Sequence, residues 1–174
     1  VLCDAEERVS AIRAATREAS GLPGVAAVDF SAFLASGETA AELDRPGLFE
    51  VKSETLPAAG YEPACARRTV AVDLAGEWLP AVLEAGLDVS KPVLWVAEGL
   101  FFFLPEEAVQ RLLTVVRASA VDGTVFIGDF VSHTALVNPL ARGFLRLLEE
   151  DGNPWRFGTD DPAGFLSEAG WRVT

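Results

Sequence analysis

Val93-Leu94-Trp95-Val96-Ala97-Glu98-Gly99-Leu100-Phe101-Phe102-Phe103-Leu104-Pro105 is the most apolar run in the chain, and one carboxylate, Glu98, interrupts it. Val93 to Ala97 reads as a strand buried on both faces, the kind found in parallel sheets covered by helices. Gly99 permits a sharp exit from that strand, and Pro105 suits the first position of a following helix. An ionised carboxylate inside such a run is costly unless it is paired or placed at a cleft. In an open parallel sheet the carboxyl end of a strand is where ligands bind, so Glu98 is the first candidate for function. The competing reading is that Glu98-Gly99 simply marks the return of the chain to solvent.

The pattern on either side of this run is regular. Thr39 to Asp44 reads as a short strand ending in acid, and Pro46 opens a helix through Phe49, Val51 and Leu56 towards Gly60. Thr69-Val70-Ala71-Val72-Asp73-Leu74 reads as a second such strand, and Trp78 to Ala85 as a helix closed by Gly86. Beyond the Val93 run, Pro105 to Ser119 is expected to be helical, with Val109, Leu112, Leu113 and Val116 on one face. Asp122-Gly123 is a turn, Thr124 to Phe130 a fourth strand, and Ala135 to Glu150 a helix whose start Asn138-Pro139 delays. Thr159-Asp160-Asp161-Pro162 reads as a helix cap with proline just inside. The last helix ends at Gly170, and Trp171 to Thr174 looks like a strand just begun, so the chain is expected to stop short of its natural C-terminus.

Before Thr39 the signals are weaker. Asp4 to Ala19 reads as an exposed or half-exposed helix, ended by Gly21-Leu22-Pro23-Gly24. Val25 to Ser36 fits a short strand at Val25 to Val28, or a helix or turn through Phe30, Phe33 and Leu34. Alternating strands and helices with short connections define an α/β class with a mostly parallel sheet. The expected division is a helical segment over 1–36 and an α/β domain over 37–174.

Composition narrows the function. The chain has 174 residues, half of them hydrophobic, enough for a real core. A net charge of −12 and a pI near 4.4 argue against a nucleic-acid partner, which needs a basic patch. Two cysteines, Cys3 and Cys65, make no disulfide framework, and with one histidine, His133, no metal site is expected. The charged N-terminus carries no secretory signal, and the Val93 to Leu104 run is too short for a span of ~20 residues. The expectation is a soluble, cytoplasmic protein without a membrane partner.

Three regular strands end in carboxylates, Asp44, Asp73 and Glu98, and in a doubly wound sheet all three would face one edge. A carboxylate there accepts from ribose hydroxyls, a second from an adenine amino group, and a third meets a positive charge. The set suggests a nucleoside ligand carrying positive charge and no phosphate, since no phosphate-cradling glycine loop is present. Against this, Asp44 is close enough to Pro46 to be a helix cap, and Asp73 fits a surface turn.

Glu42-Leu43-Asp44-Arg45-Pro46, Val70-Ala71-Val72-Asp73-Leu74, Trp95-Val96-Ala97-Glu98-Gly99-Leu100 with Leu104-Pro105, and Phe157-Gly158-Thr159-Asp160-Asp161-Pro162 resemble the leucine carboxyl methyltransferase family, which includes bacterial polyketide O-methyltransferases. The resemblance runs from about Thr39 to the end. It implies a Rossmann-like class I methyltransferase sheet and S-adenosyl-L-methionine as cofactor. It also implies a small-molecule substrate whose hydroxyl or carboxyl oxygen attacks the sulfonium methyl. Such a transfer depends on proximity and alignment and needs no enzyme nucleophile. By the resemblance, Asp44 matches the acid on the ribose hydroxyls. Asp73 and Leu74 match the residues around the adenine, and Glu98, with Gly99, the lining near the methionyl portion. No catalytic residue is assigned, and the methyl acceptor and oligomeric state are not specified.

The sequence also departs from the family. Members carry a strand before Glu-Leu-Asp that runs into a glycine-containing loop, whereas Ala35-Ser36-Gly37-Glu38 leads directly into Thr39. That first strand lies centrally in the family sheet, and by the resemblance it and the C-terminal strands are expected to be missing from this sequence. Losing it would leave two strand edges unpaired, so residues between about Phe33 and Thr39 are expected to be omitted or deleted. The arginine-rich motif upstream is not recognisable, and Phe103 stands where the family often has tyrosine. The rival reading is therefore a degenerate methyltransferase-like protein that binds no cofactor and serves as a scaffold or runs a non-methylating reaction. His133 fits either a base for a hydroxyl substrate or a loop histidine with a local hydrogen bond. Phe101, Phe102 and Phe103 fit either a pocket wall or, for two of them, core, and Trp155 and Phe157 fit either a lid or packing.

Overall fold

The computed structural model describes residues 40–60 and 67–173. The helix expected over Asp4 to Ala19, the ambiguous Val25 to Ser36 segment and the omission expected between Phe33 and Thr39 lie outside the described residues. In chain order the elements are β1 (Ala40–Asp44), α1 (Pro46–Ala58), β2 (Arg67–Ala71), α2 (Leu79–Glu84), β3 (Leu94–Ala97), a 3-10 turn (Phe101–Phe103), α3 (Glu106–Ser119), β4 (Val125–Gly128), α4 (His133–Val137), α5 (Arg142–Glu150) and α6 (Pro162–Glu168). β1 pairs in parallel with β2, from Ala40 opposite Arg67 to Asp44 opposite Ala71. β3 pairs in parallel with β4, from Leu94 opposite Val125 to Ala97 opposite Gly128. Parallel neighbours need a crossover, which α1 and α3 supply. The α/β class with parallel strands is as expected. Where one sheet was expected, the described residues form two separate two-stranded ladders.

The described residues fall into two compact units, 40–60 with 67–73 and 80–87, and 74–79 with 88–173. In the first unit Val70 on β2 and Val82 on α2 are buried, and so is Glu42 on β1. A buried carboxylate needs a counter-charge, and the Lys52 ammonium on α1 pairs with Glu42. β2 starts two residues before the expected Thr69, and it ends at Ala71 rather than Leu74. The cause is register. β1 is five residues long and closes opposite Ala71, so once Val72 N–H donates to Asp44 O at 2.9 Å the ladder is spent. Asp73 and Leu74 lie beyond it.

The second unit is packed on aliphatic and aromatic side chains. Ala108, Val109, Leu112, Leu113 and Val116 form the buried stripe of α3, spaced for one helical face. Glu106 and Glu107 sit in its first turn and Arg117 in its last, each suiting the helix dipole. Pro105 occupies the cap position, one residue outside the helix it was expected to begin. Phe101 is fully buried, stacked on Phe126 with centroids 5.9 Å apart and tilted against Phe130 at 5.0 Å. Phe157 and Phe165 meet at 4.9 Å in the same cluster. Gly128 at the end of β4 is required by close approach, since a Cβ there would lie 2.8 Å from the Phe101 ring.

Four expectations in this unit are corrected. β3 is not buried on both faces. Trp95 packs edge-on against Trp78 at 5.7 Å and Ala97 is buried, but Val96, pointing the other way, is 53% exposed. An apolar run shows that both faces are greasy, not that both are covered. β4 ends at Gly128, short of Phe130. The single helix over Ala135 to Glu150 is two: Ser132 Oγ accepts from Ala135 N–H at 3.1 Å and starts α4 at His133, and α4 ends at Val137, just before Asn138-Pro139. Trp171 to Val173 forms no strand; Trp171 N–H donates to Leu166 O at 3.0 Å and its indole to Leu113 O at 3.2 Å. The cap at Asp161 stands as expected, its Oδ1 accepting from Gly164 N–H at 2.8 Å with Pro162 just inside.

Candidate functional site

In the first unit Asp44 and Asp73 reach the same end of the β1–β2 ladder. Asp44 is the last residue of β1, half-buried, and its Oδ1 accepts from Arg45 N–H at 2.8 Å. That bond goes to the residue before Pro46, so it is not the bond of an N-cap, which reaches the second or third helical N–H. Asp73 is exposed two residues past Ala71, and the Val72 to Asp44 hydrogen bond ties the two chain ends together. Two carboxylates at one strand end offer four acceptor oxygens and no donor when ionised. Leu74 follows as the half-buried start of a turn and belongs to the second unit.

In the second unit Glu98 is the first residue past β3 and is exposed. Gly99 turns the chain at φ +63°, where a side chain would be strained, and a Cβ there would meet no atom within 4 Å. The peptide side of this turn is therefore open to a ligand. Across from it, Asp129 is the first residue past β4. Its Oδ1 accepts from Gly99 N–H at 2.8 Å, and its own N–H donates to Ala97 O at 3.3 Å. The sequence reading missed Asp129 because it ran the fourth strand through Phe130 and left this acid inside it. The available signal was the acid directly after an apolar strand, the same pattern that picked out Glu98.

The remaining candidates separate by burial. His133 is exposed as the first residue of α4, not a loop residue, and its neighbour Thr134 donates from N–H and Oγ1 to Asp160 at 3.2 and 3.1 Å. Phe101 and Phe157 are core. Phe102 is half-buried between Phe103 at 4.8 Å and Trp155 at 4.7 Å, and Phe103 is exposed. Trp155 also meets Phe144 at 5.2 Å. Among the described residues no group of three or more His, Cys, Asp or Glu is placed to hold a metal ion, and no helix is long and apolar enough to cross a membrane.

Parallel βαβ units with acids at the carboxyl ends of their strands define a Rossmann-like α/β protein. A family model described as leucine carboxyl methyltransferase matches residues 31–117, and the chain belongs to that family. A Mycobacterium avium (strain 104) protein is 35% identical over 151 residues, covering 79% of this chain and 47% of its own. A Mycolicibacterium paratuberculosis (strain ATCC BAA-968 / K-10) protein is 41% identical over 138 residues, covering 79% of this chain and 43% of its own. Both carry the name "Putative S-adenosyl-L-methionine-dependent methyltransferase". The chain spans about half the length of the curated relatives it matches. The crystal structure of a DUF574 family protein from Streptomyces avermitilis MA-4680 matches with a TM-score of 0.59 at 14% identity, covering 89% of this chain and 65% of that one. That likeness is one of fold.

Proposed function

We propose that this chain serves S-adenosyl-L-methionine-dependent methyl transfer to a hydroxyl or carboxyl oxygen of a small molecule, with residues 37–174 as the methyltransferase domain. The observation that carries the reading is that Asp44 closes β1 and Asp73 follows β2 at the same end of their ladder, where Val72 N–H holds Asp44 O at 2.9 Å. The donor set fits the cofactor. Carboxylates suit ribose hydroxyls and an adenine amino group, and a further carboxylate suits a cation. The cofactor supplies an electrophilic methyl group. Asp44 is assigned to the ribose hydroxyls, Asp73 and Leu74 to the adenine, and Glu98 and Gly99 to the remaining portion. The open side of Gly99 lets a ligand approach the backbone without a side chain in the way. Family membership and the names of the relatives support S-adenosyl-L-methionine as the cofactor. The protein's task is then to hold and align the reactants, which is the main source of rate in such transfers.

Calorimetric titration with S-adenosyl-L-methionine and S-adenosylhomocysteine tests this directly. Saturable binding of both is expected. Absence of binding rejects the proposal and leaves the scaffold reading in its place. Asp73→Ala is expected to weaken binding about tenfold or more, as loss of a charged hydrogen-bond partner should, without unfolding the protein. Unchanged affinity would withdraw Asp73 from the site.

A further inference from the structure

We propose that Asp129 is a positioning residue that fixes the peptide on both sides of Glu98; the inference rests on the cofactor role proposed above for Glu98 and Gly99. Asp129 N–H donates to Ala97 O at 3.3 Å, and Asp129 Oδ1 accepts from Gly99 N–H at 2.8 Å. Ala97 and Gly99 flank Glu98, so one residue of β4's exit clasps the group before it and the group after it. The second bond is charge-assisted, the stronger kind, and it selects the φ +63° conformation of Gly99 over the many a glycine can adopt. No atom would meet a Cβ on Gly99, so packing does not hold this turn. Among the described residues no hydrogen bond or ion pair holds the Glu98 carboxylate, so the backbone sets the point and direction from which its side chain departs. Removing the Asp129 side chain therefore leaves the bond to Ala97 O in place and releases the Gly99 side of Glu98 without touching it.

Two readouts on the full chain test the clasp, amide hydrogen exchange at Gly99 and calorimetric affinity for S-adenosylhomocysteine. The Gly99 amide is expected to be protected in the unaltered protein. In Asp129→Asn, whose side-chain oxygen still accepts, protection persists and affinity stays within about threefold. In Asp129→Ala the Gly99 amide exchanges roughly tenfold faster and affinity falls about tenfold, the size expected for one charge-assisted hydrogen bond. A purely structural role would lower the melting temperature of both variants alike and would show no rescue by asparagine. An unprotected Gly99 amide in the unaltered protein, or equal damage from Asn and Ala, overturns the proposal, and the first of these needs no variant that folds. If the unaltered protein binds no S-adenosylhomocysteine, the cofactor role of Glu98 falls, while the exchange measurement still decides the clasp.

Discussion

The β1–β2 pair and the β3–β4 pair are both parallel, both short and both followed by acids, yet different forces hold them. In the second, the crossover helix α3 buries five residues, and Phe101 fills the space beneath β4. In the first, Leu48 and Val51 on the crossover helix α1 are exposed, and Lys52 on that helix pairs with the buried Glu42 of β1. The strands of the first pair are thus led to their acids by register and an ion pair, and those of the second by packing, with the Asp129–Gly99 hydrogen bond holding the turn itself. The same placement of carboxylates is reached by two physical routes.

Leu113→Ala should have the largest effect, because Leu113 is wholly buried and its loss leaves a cavity. About 3–5 kcal/mol is expected from urea unfolding followed by tryptophan fluorescence. A loss below ~1 kcal/mol would mean that α3 is not what holds the second pair. Lys52→Met comes next. It removes the ammonium from the buried Glu42, but Lys52 is itself partly exposed, so the expected cost is about 1–3 kcal/mol. If it equals or exceeds the loss from Leu113→Ala, the contrast between the pairs is reversed. The smallest effect is a purely electrostatic one in the second unit. The Ser90 hydroxyl, then the Ser90 N–H, hold the exposed Asp88 carboxyl below its usual range, opposed by slight desolvation and helped by Lys91. A carboxyl lowered on folding stabilises above its unfolded pKa, and that contribution is lost as pH falls through the folded one. Ser90→Ala should therefore raise the Asp88 titration midpoint, followed by NMR, and lower stability at neutral pH only slightly, because the group is exposed. A midpoint that does not move would assign the shift to the Ser90 N–H, which the substitution keeps, and to Lys91.

The parts legible in the sequence are those where one signal dominates. The i, i+3, i+4 spacing of Val109, Leu112, Leu113 and Val116 placed α3 within one residue, and Asp161-Pro162 placed the last cap. Asp44 and Glu98 stand out in the sequence because one closes and the other follows an expected strand. Where two chains must agree, the sequence of one was not enough. Arg67 and Arg68 look like loop residues, yet register with Ala40 and Ala41 draws them into β2 and leaves Asp73 outside it. Val96 looks like core, but nothing local says which face of β3 is covered. Asp129 was hidden for the same reason, because the end of β4 is set by the length of β3, four residues long. The family itself was legible, since motif order survives even where strand boundaries slip.

Gly128 and Phe101 occupy one volume between them. A single methyl at 128 would sit 2.8 Å from the Phe101 ring and 3.1 Å from that of Phe126. The two positions therefore have a joint size limit rather than two separate ones. A larger residue at 128 is admissible only where the rings of Phe101 and Phe126 both give way, so the bulk of these two rings keeps the end of β4 a glycine.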